Sequence, residues 1–70
     1  MSVVFRIELE REDEGRWIAE VVELPRVLAC GATQDDAIAH AQALALRVGA
    51  DRLENEEAGG EYLSISFAAA

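Results

Sequence analysis

The 70-residue chain is long enough for one small domain, is 51% hydrophobic, and carries 14 acidic against 6 basic residues, a formal net charge of -8. That charge repels phosphate backbones and anionic headgroups over roughly the 8 Å Debye length of physiological salt, which disfavours direct nucleic-acid or membrane-surface binding and favours a basic protein partner. The single cysteine excludes an internal disulfide, no Cys and His set stands at zinc-ligand spacing, and the patterned apolar content excludes a disordered tail.

Residues 3–10 alternate, with Phe5, Ile7 and Leu9 on one side and Val4, Arg6, Glu8 and Glu10 on the other, which is the period of a half-buried strand. The charge at Arg6 comes too early for the apolar core of a signal peptide. Glu12-Asp13-Glu14-Gly15 makes a glycine-ended turn, and residues 16–22 alternate again with Trp17, Ala19 and Val21 together, so the two runs predict a hairpin. Leu24-Pro25 ends the second strand, because proline cannot donate to a ladder.

A third, shorter strand over residues 27–30 leads to Gly31, read as a glycine that permits a turn. Thr33 follows as the N-cap of a helix over residues 34–53. Asp36 completes a capping box, Asp35 and Asp36 suit the positive end of the helix dipole, and Arg47 and Arg52 stand near its negative end. The acidic stretch 54–60 ends in Gly59-Gly60 and reads as a flexible connection. A last strand over residues 62–67 sets Leu63, Ile65 and Phe67 against Tyr62, Ser64 and Ser66.

The result is an α+β domain spanning residues 1–70, in the order β-β-β-α-β, with one mixed four-stranded sheet and a single helix packed on one face. A right-handed crossover brings the fourth strand parallel to the first. The expected core is Phe5, Ile7, Leu9, Trp17, Ala19, Val21, Leu63, Ile65 and Phe67 against the helix face of Ala37, Ile38, Ala41, Leu44, Ala45 and Val48. A second helical stripe, Ala39, Ala43, Leu46, Ala50 and Leu53, faces away from the sheet, and Val4, Ile18, Val22, Leu28 and Tyr62 fall on the uncovered sheet face. Apolar area of that extent marks association with a second copy or a partner.

No residue combination assembles a catalytic, cofactor or metal site. His40 stands one helical turn after Asp36 and reads as a solvated surface histidine, while Cys30, on a strand with no histidine close in sequence, reads as a packing residue. Glu8, Glu10, Glu12, Asp13 and Glu14 lack the spacing of a calcium loop and read as solvated carboxylates that would steer a cationic partner. The alternation of Trp17 with Ala19 and Val21 makes it a core residue rather than a stacking platform. No run approaches the roughly 20 apolar residues of a membrane span, so a cytoplasmic location is expected.

The succession Gly15-Arg16-Trp17-Ile18-Ala19-Glu20, Glu23-Leu24-Pro25, Gly31-Ala32-Thr33-Gln34-Asp35-Asp36-Ala37 and Ala45-Leu46-Arg47 resembles the HicB-like antitoxin domain of bacterial and archaeal toxin–antitoxin pairs, over nearly the whole chain. It departs at Arg26, where a glycine commonly follows Leu-Pro, at Ala32, where Asp is frequent, and at Asp35-Asp36, where Glu is more typical. The resemblance implies a partial RNase H-like fold and a partner of the HicA type, a small basic RNA-cleaving toxin whose double-stranded-RNA-binding-like surface and catalytic histidine the antitoxin blocks. Members of the family often add a C-terminal DNA-binding segment. This sequence reaches Ala70 without one, so a short, stand-alone member lacking a C-terminal DNA-binding segment is expected.

Two rival classes fit less well. A two-metal nuclease of RNase H type needs carboxylates on the last strand, which offers Ser64 and Ser66 instead. An RNA-binding module needs a basic stripe and exposed aromatics. The expectation is a non-enzymatic, homo-oligomeric interaction domain that masks a basic toxin. The alternatives are an orphan oligomeric module of the same type and a nucleic-acid-associated regulatory module.

Overall fold

A computed structural model of the chain describes residues 2–57 and 59–70. Its elements are β1 (Val3–Arg11), β2 (Trp17–Val21), β3 (Leu28–Gly31), α1 (Gln34–Glu54), a 3-10 turn η1 (Gly60–Leu63) and β4 (Ile65–Ala69). They form one mixed sheet in the order β3-β2-β1-β4, antiparallel except for the parallel β1–β4 pair. The α+β class, the element order and the parallel return of the last strand all match the pattern in the sequence. The N-terminal Met1 and Ala58 of the acidic connection lie outside the described residues.

The β1–β2 turn is set by Gly15, whose φ of +88° lies in the left-handed region, and by the Gly15 N–H donating to the Glu12 carbonyl at 2.9 Å. Past β2 the chain folds back on itself. The Leu24 N–H donates to the Val21 carbonyl and the Val27 N–H to the Leu24 carbonyl, which turns Leu24 and Val27 into the core and leaves Pro25 and Arg26 outside. Residues 24 and 27 therefore join the core from a loop, a role the alternation pattern did not assign.

Helix α1 starts where the sequence placed it. The Thr33 side chain accepts from the Asp36 N–H at 3.1 Å, satisfying one of the donors a helix start leaves open. Thr33→Ala is expected to cost about 1 kcal/mol of stability and Thr33→Ser much less. Equilibrium urea unfolding checks both.

Ala37, Ala41, Ala45 and Gly49 recur every four residues and are buried, the three alanines in the core against the sheet and Gly49 beside the Tyr62 ring. These small side chains let the helix lie close on β2 and β3, while it touches β1 little. The inner face over β1 and β4 therefore stays partly open. Leu9 is 36% exposed, at the rim of a shallow groove lined by Ile7, Leu9, Ile38, Gln42, Phe67 and Ala69.

Three expected core residues, Leu9 at the open groove, Leu63 and Trp17, and one expected surface residue, Tyr62, are placed differently. Leu63 is 84% exposed because the chain enters η1 before reaching β4, so the expected last strand begins at Ile65 instead of residue 62. Trp17 is half-buried at the core margin, with the Arg11 guanidinium 5.8 Å from its ring centroid. Tyr62 leaves the open sheet face altogether. Its ring meets the buried Phe5 edge-on at 6.2 Å, on the inner side and beside Gly49.

Candidate interaction surface

The outer sheet face is built by strand alternation and by register. Glu8 of β1 lies directly opposite Glu20 of β2, which in turn faces Leu28 of β3. One step along, Glu10 faces Ile18, which faces Cys30. On the other side Val4 faces Ser66 and Arg6 faces Ala68. Val4 and Leu28 are each 48% exposed, Ile18 is half-buried, and no helix of the described residues covers this side. Val22 follows β2 half-buried, its N–H donating to the Arg6 carbonyl.

The carboxylates on this face are arranged unevenly. Arg6 is engaged by Glu23: its N–H donates to Glu23 Oε1 at 2.7 Å and its Nε to Oε2 at 2.6 Å. The carboxylate thereby continues the β1–β2 ladder by one step where β2 has ended. Its hydrogen bonds from Arg6 hold the Glu23 carboxyl below the usual carboxylate range and raise the Arg6 guanidinium.

Glu8, Glu10 and Glu20 make no ion pair among the described residues. Like charges directly opposite across a strand pair oppose folding by roughly 0.2–1 kcal/mol. The acidic strip continues from Glu10 to the exposed turn residues Glu12, Asp13 and Glu14. Glu20 is the member that sequence reading missed. Its place on the face of Ile18 was legible from the β2 alternation, but its position opposite Glu8 required the hairpin register.

The helical stripe Ala39, Ala43, Leu46, Ala50 and Leu53 is exposed on the opposite side of the molecule, with Leu46 at 49% and Leu53 at 46%. The molecule thus presents two separate surfaces, an acidic-apolar sheet face and an alanine-leucine helix face. The chain matches no protein-family model, no curated protein and no solved structure.

His40 forms no pair with Asp36. Its Nδ1 lies 3.0 Å from the Cys30 carbonyl, so a proton on Nδ1 ties α1 to the edge of β3. Cys30 itself sits half-exposed on the outer face beside Ile18. Among the described residues no group of three or more His, Cys, Asp or Glu side chains is placed to hold a metal ion. No described helix is long and apolar enough to cross a membrane. What the outer face offers chemically is a sheet of apolar contacts crossed by carboxylates of which, among the described residues, only Glu23 is in an ion pair, which suits docking of a cationic surface with apolar spots.

Proposed function

We propose that this domain is an antitoxin-like interaction module of HicB type, which neutralises a small basic RNA-cleaving toxin of the HicA kind by covering its active surface, with no catalysis of its own. The observation that carries the reading is the Glu8–Glu20 pair, two carboxylates directly opposite each other on the face of Leu28 and Ile18 and outside any ion pair among the described residues, the nearby Arg6 being held by Glu23. Such a pair opposes folding in the free protein and becomes favourable when a positively charged partner docks. The formal net charge of -8 would draw that partner in from a distance. Support also comes from the return of β4 parallel beside β1, as the partial RNase H-like arrangement of that family requires, and from the sequence resemblance. A cytoplasmic setting belongs to the same reading.

The test uses the opposite signs of one substitution. Glu20→Lys places an ammonium opposite Glu8, so it is expected to leave the melting temperature of the free domain equal or higher. The same substitution should weaken a complex with the small basic protein encoded beside this one by about tenfold or more, and should abolish rescue of growth on co-expression. The wild-type complex should weaken with salt. Failure of the two proteins to co-elute at low salt, or a Glu20→Lys variant that binds as tightly as wild type, overturns the reading.

A further inference from the structure

The two edges of the sheet differ in a way that assigns one of them a partner. Edge β3 has four residues, is preceded by Pro25-Arg26, and has its Cys30 carbonyl taken by His40. Short length, a proline, a charge and a covering group are the usual means of blunting an edge. Edge β4, five residues long, has no proline and no charged side chain. Residues 62–70 contain no charged side chain and no proline, in a chain with 20 charged residues, and among the described residues no strand lies beyond β4 in the sheet.

The parallel register fixes which backbone groups of β4 are unused. The Val3 N–H donates to the Ser64 carbonyl and the Ala70 N–H to the Ile7 carbonyl, so the even-numbered residues of this segment face β1. The N–H and C=O groups of Ile65, Phe67 and Ala69 therefore point away from the sheet. Their side chains lie on the inner face, which α1 covers less fully than it covers β2 and β3 and where Ile65 and Phe67 are only half-buried.

We propose that β4 pairs antiparallel with β4 of a second copy of this chain, around a twofold axis at Phe67, to make one continuous eight-stranded sheet. Phe67 then faces Phe67 and Ile65 faces Ala69 in hydrogen-bonded pairs, which uses every outward N–H and C=O of these three residues. The aromatic pair meets on the inner face, and Ile65 of the second copy comes beside the groove at Ile7, Leu9 and Ala69. Electrostatics select this edge for a second copy. Each chain carries a formal charge of -8, and the β4 segment brings two chains together without setting carboxylate against carboxylate. The acidic outer face and the hairpin turn stay clear of the contact.

Sedimentation equilibrium of the full chain is expected to give a mass twice 7.6 kDa. The Ala69 N–H points away from β1, so Ala69→Pro removes an outward donor without breaking a bond within the monomer, and its ring obstructs the facing strand. That variant should keep the wild-type far-ultraviolet circular dichroism and raise the dimer dissociation constant by at least about tenfold. Leu46→Glu, on the helical stripe, should leave the dimer intact.

In a Cys30→Ser background, Ser66→Cys with Ala68→Cys should oxidise to a covalent dimer, because residues 66 and 68 face each other across the twofold at the roughly 4.5 Å Cα spacing of a non-hydrogen-bonded pair. A monomeric wild type, an Ala69→Pro dimer of unchanged affinity, dissociation by Leu46→Glu, or failure of that cross-link each overturns the proposal. None of these outcomes depends on whether a basic toxin binds the outer face.

Discussion

Gly31→Ala is expected to lower the melting temperature of this domain by about 10–20 °C, from an overpacking cost toward the upper end of about 1–3 kcal/mol and about 4–8 °C per kcal/mol for a domain of this size. A Cβ at position 31 would stand 2.5 Å from the Ala37 nitrogen, 2.8 Å from Asp36 Cβ and 2.9 Å from the Asp36 carbonyl carbon. Two of these three atoms are backbone in the first turn of α1, which cannot rotate aside as a flexible side chain could. Relief requires lifting the helix start off β3, and the same movement loosens the packing of Ala37, which is wholly buried. Thermal unfolding followed by circular dichroism checks the effect. A variant that melts within about 3 °C of wild type would show that the helix shifts at little cost.

That expectation corrects the sequence-level reason for Gly31. As a turn glycine it would need a left-handed backbone, which Gly15 has and Gly31 does not. Its function is close approach, since the helix N-terminus is seated directly on the strand end. Both roles leave the same letter in the sequence, so only the strand-to-helix distance separates them.

Other features were legible for specific reasons. Thr33 announced the helix because a hydroxyl before an apolar periodic run has a defined N–H to accept, and Asp36 supplies it. The outward stripe from Ala39 to Leu53 followed from helical periodicity alone. Tyr62 was not legible. Residues 62–67 alternate as a strand does, and nothing local shows that the first two belong to a 3-10 turn. What decides it is distant in sequence. Gly49 leaves room for the Tyr62 ring, whose Cε2 would lie 3.2 Å from a Cβ there, and Phe5 meets that ring at a right angle.

The acidic surface divides in the same way between pattern and register. Alternation placed Glu8 and Glu10 on the side away from the core, and composition identified the turn carboxylates. The opposition of Glu8 to Glu20 depends on how the hairpin pairs, which is set by the length of the loop closed by Gly15. The Arg6–Glu23 contact depends on the chain folding back after β2, which was read only as a strand end.

Phe5→Ala is expected to cost about 3–5 kcal/mol, the usual range for deleting a buried phenyl ring. At about 0.05–0.15 kcal/mol per residue, that approaches the whole stability of a domain this small. Phe5 is 2% exposed and lies at the centre of an aromatic trio, edge-on to Tyr62 at 6.2 Å and tilted against Phe67 at 5.8 Å. Because α1 rests on β2 and β3, the inner face over β1 and β4 is held chiefly by these rings and by the parallel ladder. The loss should therefore be graded across the sheet. In Phe5→Leu, which keeps most of the apolar volume, amide protection should fall first in β4 and η1 and later in β2 and β3. Hydrogen exchange read residue by residue tests the order. Equal loss in all four strands would show that the rings do not divide the sheet, and that the domain opens as a single unit.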